Sequence, residues 1–447
     1  MQVKFVIVVY FLVVLAVGVY SYFKIKTPAD YYISGKKAGL IPVSGSLLAT
    51  ILGGSAILGT IELSQKIGWA ALWFLGSATL GLFLLVPISK YVSRFGHFTL
   101  PELLGKFYGK KAEIISSVII PVAWIGIVAA QIIAAASILS GLGFINYKLA
   151  AIVSGLIFVL YTLAGGQISI LKTDAIQSVI ILAGLVVLLF FSLKSGTSHP
   201  VESLKFSSLF NNSFTVFDLV ILILTYSVTF IVGPDIYSRV FCAKNEKTAT
   251  RSILLVALIL IPVSFVLTWL GIYSANSANQ GIVVFAGNLL PAWAYGLFTA
   301  ALLSAVMSSA DTTLLTSSMI LSELTTGSLE HKKALSFTHI YIIIIGMMSI
   351  AIALFITSII QTLLFALTFF SGAFVVPTLA GLLNLKVNKK MVLTVIITGG
   401  IMALSGKIIK DFYNDFWGSC IIILTYVINI ILLFTPFSKF KIRLKMI

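Results

Sequence analysis

The residues best suited to chemistry lie in one run, Ala300-Ala301-Leu302-Leu303-Ser304-Ala305-Val306-Met307-Ser308-Ser309-Ala310-Asp311-Thr312-Thr313. It puts hydroxyls at 304, 308, 309, 312 and 313 and a carboxylate at 311 into an apolar stretch, Leu290 to Leu324. That stretch is long enough to cross a bilayer as one helix. Residues three and four apart are neighbours on a helix, so Ala305, Ser308, Ser309 and Thr312 share a face. Oxygen donors with no His or Cys beside them suit a hard cation rather than zinc or copper. A carboxylate inside a membrane-crossing segment costs a few kcal/mol at least and points by default to function. The run therefore predicts a helix that holds a small alkali cation. Small and hydroxylated residues are also what close helix packing in membranes selects, so for the hydroxyls alone packing and ion binding both stand. Asp311 tips the balance, although a position near the helix end would let it snorkel to water.

The chain around this run has 447 residues, of which 59% are hydrophobic and 10% charged. Repeated apolar runs of eighteen or more residues define a polytopic, all-helical membrane protein. The net charge of +16 is therefore a matter of topology and not a nucleic-acid footprint. Cys242 and Cys420 form neither a metal spacing nor a disulfide framework. His97, His199, His331 and His339 lie mostly in loops without metal spacing. No Gly-rich phosphate loop or Ser-His-Asp set is present, so nothing points to an enzyme. The first 23 residues lack a small-residue cleavage site and read as a retained helix.

Counting apolar runs gives about thirteen spans, near 3–23, 40–61, 68–90, 112–142, 148–165, 170–194, 215–235, 251–276, 289–324, 336–357, 359–383, 391–408 and 417–437. If the N-terminus lies outside, 23 of the 30 Lys and Arg fall on the cytoplasmic side and 7 outside. The positive-inside rule then predicts an N-out, C-in protein of the cell (inner) membrane. No loop is long enough to form a separate domain.

Two spans are irregular. Span 40–61 carries Leu52-Gly53-Gly54-Ser55 at its middle, and adjacent glycines weaken a helix by roughly 1 kcal/mol each. Span 215–235 finishes on Gly233-Pro234-Asp235, which breaks or ends it. Discontinuous helices at mid-membrane are a mark of secondary transporters, though glycine also serves packing. Each irregular helix opens a five-span block, 40–194 and 215–383. Five is odd, so the blocks would enter from opposite sides as an inverted pair. Residues 1–39 precede the pair and 391–447 carry two further spans, all within one membrane domain.

Four segments together resemble the sodium/solute symporter family. They are Asp30-Tyr31-Tyr32-Ile33-Ser34-Gly35-Lys36-Lys37-Ala38-Gly39; Thr162-Leu163-Ala164-Gly165-Gly166 with Lys172-Thr173-Asp174-Ala175-Ile176-Gln177; Gly233-Pro234-Asp235-Ile236-Tyr237-Ser238-Arg239; and Ala305-Val306-Met307-Ser308-Ser309-Ala310-Asp311. Their order and spacing extend over about residues 30 to 385. The resemblance implies a LeuT-type five-plus-five inverted fold with one helix before it and two after. It implies coupled import of sodium and a small-molecule solute by alternating access, for which a monomer in the lipid bilayer suffices.

The implied sodium ligands are the carbonyls of Ala49, Leu52 and Ala305 and the hydroxyls of Ser308 and Ser309. Five neutral oxygens leave the ion's charge incompletely compensated, which suits release into a low-sodium cytoplasm. Some members place a second sodium at the positions of Asp174, Asp311 and Thr312. The simpler role for Asp174 is to cap its own helix start. Proton coupling through Asp311 or Asp174 is the alternative within transport. A solute sensor is disfavoured because no signalling domain follows Ile447.

The expected solute pocket draws on Gly53, Gly54, Ser55, Gln131, Tyr226, Ser227 and Phe230. Tyr226, Phe230 and Pro234 keep a spacing found in proline-transporting relatives, while an aromatic stripe buried in packing explains them as well. No Lys or Arg falls well inside a span, and Ile51, Gly53 and Ala56 lack the polar pattern of sugar-transporting relatives. A neutral or zwitterionic solute, such as an amino acid, is the expectation.

Overall fold

The computed structural model describes residues 2–23, 27–95, 99–143, 145–195, 205–275 and 281–435. Over these residues the chain is helical throughout, with two isolated backbone bridges and no extended strand. In order, the helices are α1 (Gln2–Tyr22), α2 (Pro28–Ile33), α3 (Leu40–Ile51), α4 (Gly54–Ile67), α5 (Leu72–Phe95), α6 (Leu100–Tyr108), α7 (Lys110–Gly141) and α8 (Tyr147–Lys194). There follow α9 (Val216–Leu222), a π-turn at Ile223–Ser227, α10 (Thr229–Val232), α11 (Pro234–Cys242), α12 (Glu246–Ala275) and α13 (Ile282–Leu289). The remainder is α14 (Ala292–Thr326), α15 (Ala334–Phe355), α16 (Ile359–Leu382), α17 (Val392–Phe412) and α18 (Asp415–Phe434).

Ten stretches among the described residues are long and apolar enough to cross a membrane. Three of them contain a sharp backbone departure, one being the break at Gly233 in the stretch 216–242. The stretch 54–93 passes through Gly68 at φ 60°, and α8 passes through Gly166 at φ 68° and ψ 172°. Unbroken, the 48 residues of α8 would span ~72 Å, more than twice the ~30 Å hydrocarbon core. Glycine is required at 166 because its φ lies in the left-handed region and a Cβ would come within 2.6 Å of the Tyr31 ring.

Helix α14 is the axis of the bundle. Every residue from Phe298 to Ile320 is buried, so hydroxyls and apolar groups alike face other helices. It packs on α8, α7, α15, α1 and α3, while α17 and α18 pair with each other and reach the bundle through α16. Both irregular spans are broken as their glycines predict. The first separates α3 from α4 at Leu52 and Gly53, where Gly53 is extended at ψ 167°. The second does not end at Gly233-Pro234. Gly233 is extended at ψ 129°, and the chain resumes as α11 for another nine residues, with proline at the start where its missing N–H costs nothing. A short parallel bridge joins the segment before α3 to the end of α11, with Ala38 N–H donating to Cys242 O and Lys244 N–H to Ala38 O.

Candidate ion and solute sites

Breaking a helix strands the carbonyls of its last turn, and these need new partners. In α3 those carbonyls meet α14. Ser308 Oγ donates to Ala49 O at 2.8 Å, and Ser309 Oγ donates to Thr50 O at 2.6 Å. Ser308 Oγ also lies 3.3 Å from Ala305 O. Three expected sodium ligands, Ala49, Ala305 and Ser308, thus converge on one point, while Ser309 turns to Thr50, which sequence reasoning did not name. Leu52 is fully buried beside them and caps α3 through its N–H to Leu48 O at 2.8 Å. The glycines permit this approach: a Cβ at Gly53 would overlap the Ser309 hydroxyl and one at Gly54 would overlap Val306. A cation entering here would turn the serine hydroxyl oxygens toward itself and take over the two carbonyls they now satisfy.

A second buried cluster lies one turn along α14. Asp174 accepts from Ser46 Oγ at 2.5 Å and pairs with Arg239 Nη2 at 3.3 Å, both ionic side chains being fully buried. Arg239 donates further to Ser46 Oγ at 3.1 Å, to Ser238 Oγ at 2.8 Å and to the Thr312 hydroxyl. Asp311 is 1% exposed, and its side-chain hydrogen-bond partner among the described residues is the Thr312 hydroxyl at 3.5 Å, the outer limit of such a bond. Asp174, Asp311 and Thr312 are therefore brought together around Arg239. Two expectations are corrected here. Asp174 sits inside α8, eight positions after Gly166, and does not cap a helix start. Arg239 is not a loop cation: α11 continues past the Gly233 break and carries it into the core. The guanidinium pairs with Asp174, and one oxygen of Asp174 and one of Asp311 have no hydrogen-bond partner. A buried carboxylate is costly unless a cation or a proton offsets it.

Beside the first cluster is a cavity of about 60 Å³ between α3, α4, α7, α10, α11, α14 and α16. Ser55, Gln131, Tyr226 and Phe230 line it, as expected. Gly53, Gly54 and Ser227 do not, and the cavity wall takes in Thr50, Trp124, Thr229, Asp235 and Thr313 instead. Gln131 is clamped to the start of α4, donating to Ser55 Oγ at 2.7 Å and accepting from Ser55 N–H at 3.3 Å. Tyr226 sits in the π-turn, stacked on Phe74 at 4.6 Å and edge-on to Phe230 at 5.1 Å. Trp124 meets Phe370 edge-on at 4.7 Å. The volume is well below the several hundred Å³ of ordinary ligand sites, so a solute enters only if the surrounding helices move.

Broken helices that hand their carbonyls to a hydroxyl-bearing neighbour, inside a bundle of apolar spans, define a multi-pass membrane protein of the secondary-transporter type. The chain belongs to the sodium:solute symporter family, whose model matches residues 31–399. That family couples solute movement to sodium. Among curated proteins, sodium/glucose cotransporter 4 of Homo sapiens is 28% identical over 207 residues, 44% of this chain and 29% of that protein. Solute carrier family 5 member 4A of Mus musculus is 31% identical over 195 residues, 42% of this chain and likewise 29% of that protein. The match thus spans less than a third of these relatives' length. Among solved structures, a substrate-bound, outward-open Na+-coupled sialic acid symporter superposes with a TM-score of 0.78 at 18% identity, covering 97% of both chains. A nucleobase-cation-symport-1 family transporter in a closed conformation gives 0.59 at 13% identity, over 90% of this chain and 93% of that one. These likenesses establish the fold.

Proposed function

We propose that the protein imports a small organic solute together with sodium by alternating access. One observation carries this reading: Ser308 and Ser309 of α14 satisfy the Ala49 and Thr50 carbonyls freed where α3 breaks. Neutral oxygens that pair with one another can exchange those bonds for an ion and return to them afterwards, which a transporter needs. The sodium ligands are then Ala49, Leu52, Ala305, Ser308 and Ser309, with Thr50 added. Asp174, Asp311 and Thr312 form a second cation site in which the ion joins Arg239 in offsetting two carboxylates. The unpartnered oxygens of Asp174 and Asp311 equally favour proton coupling as the second reading.

The architecture we propose has thirteen crossings in a five-plus-five inverted arrangement of 40–194 and 215–383, with 1–39 before it and 391–447 after. The departures at Gly68 and Gly166 support the count, and the matching breaks in the first helix of each block support the inversion. The Lys and Arg distribution supports an N-out, C-in orientation in the cell membrane, and one chain holds every proposed ligand. For the solute the sequence favours a small neutral or zwitterionic molecule such as an amino acid, with proline the first to test. The names of the mammalian relatives favour a sugar, yet Ile51 and Ala56 present apolar side chains to the cavity.

The test is a thermal-shift screen of purified protein against amino acids, sugars and organic amines, in sodium and in potassium. The expected result is a solute that stabilises far more in sodium, because coupled sites raise each other's affinity. Stabilisation equal in both salts but dependent on pH would move the assignment to proton coupling.

A further inference from the structure

The solute cavity has a chemistry of its own. Among the residues that line it, Asp235 is the single charged one, and no Lys or Arg reaches it. Arg239, one turn further along α11, directs its guanidinium away to Ser46, Asp174 and Thr312. Asp235 lies in the first turn of α11, with Arg239 of the same helix near enough to act on it electrostatically. A carboxylate has about four acceptor positions, which leaves capacity for a ligand. Helix capping alone is served by any exposed aspartate and does not call for one at the wall of a cavity.

Around the same space stand three aromatic side chains, Trp124, Tyr226 and Phe230. Ring faces attract a desolvated ammonium by their quadrupole, and several rings with one carboxylate form the usual receptor for alkylated nitrogen cations. Two polar groups of the wall are also without partners: the Nε1–H of Trp124, 1% exposed, and the hydroxyl of Thr50, 9% exposed. Buried donors left open in a cavity wall are matched by an acceptor on what fills it.

We infer that the transported solute is a small organic cation, with a protonated or quaternary nitrogen held by Asp235 and the Trp124, Tyr226 and Phe230 rings and an oxygen reached by Trp124 and Thr50. The inference rests on the symport reading above and replaces its amino-acid class with a cationic one. A free carboxylate on the solute has no basic partner in the wall, which disfavours anionic substrates such as the sialic acid of the structural neighbour. Sodium bound between α3 and α14 and a cationic solute in the adjoining cavity repel each other, and Asp235 supplies offsetting charge.

The experiment uses the full chain in proteoliposomes and reads radiosodium entry stimulated by choline, tetramethylammonium, proline or glucose. Choline, which has both the nitrogen and the oxygen, is expected to stimulate most, tetramethylammonium less, and proline and glucose not at all. Asp235→Asn should raise the choline concentration for half-maximal entry by about tenfold or more, as removal of a buried charge partner does. Phe230→Leu should raise it several-fold while leaving Asp235 intact. A sodium-induced thermal shift retained in both variants shows that they fold and bind the ion. Entry stimulated by proline or glucose and not by choline overturns the cation assignment while symport stands. No stimulation by any probe, with no sodium-induced shift in the unaltered protein, overturns the symport reading and this inference together.

Discussion

Ser308 and Asp174 show how differently two buried oxygens behave. The Ser308 hydroxyl is neutral and holds two carbonyls, so in the proposed site its loss removes an ion ligand and frees those carbonyls. Ser308→Ala should raise the sodium concentration for half-maximal uptake about tenfold, as loss of a contact worth ~1.4 kcal/mol does, with a modest fall in melting temperature. Asp174 is committed to Arg239. Removing the guanidinium leaves a buried, uncompensated charge, so Arg239→Ala should destabilise by about 3–5 kcal/mol, read as a fall in melting temperature. Adding Asp174→Ala to it should restore part of that loss; an equal or larger fall in the double variant would show the pair is not coupled.

Hydroxyls and a carboxylate inside an apolar run violate the pattern of a lipid-facing helix, which is why Ser308, Ser309, Asp311 and Thr312 were legible from sequence. Thr50 was not, because it contributes a backbone carbonyl and carbonyls leave no trace in residue type. Arg239 and Asp235 were misjudged together, since a Gly-Pro pair looks like the end of a span and only the resumption of α11 carries both residues inward. Trp124 gave no signal among many core aromatics.

Among elements, the two breaks are the features that position everything else. Gly53 has no room for a side chain against Ser309, whereas Gly39, at the start of α3, has nothing within 4 Å. Gly53→Ala should therefore abolish sodium-dependent stabilisation while Gly39→Ala leaves it intact. Equal effects from both would mean that glycine acts through helix propensity rather than close approach. Gly166→Ala should lower the melting temperature, both from the left-handed φ, at ~1–2 kcal/mol, and from the Tyr31 ring it would meet. The existence of the breaks was legible, because paired glycines and Gly-Pro act locally. The π-turn that seats Tyr226 was not, since it arises from packing on Phe74 and α16.

At the scale of the whole molecule, the basic residues support the proposed orientation and α14 forms the axis. In a Cys420→Ser background, an impermeant maleimide applied to intact cells should label Asn211→Cys and spare Lys389→Cys until the membrane is opened. The reverse pattern would invert the proposed topology. The overall bundle was legible because hydropathy reports each crossing independently. Which helices meet was not, since contacts such as α14 with α1 join segments almost three hundred residues apart, as the Tyr10 and Met307 side chains do.

The central claim is that the broken α3 and the serines of α14 hold sodium between them. Equilibrium radiosodium binding to the purified protein, compared with the Ser308→Ala/Ser309→Ala variant, addresses it without knowledge of the solute. The account predicts saturable binding in the unaltered protein that potassium does not displace, weakened at least about a hundredfold in the variant from two lost ligands. Undiminished binding in a folded variant would contradict it.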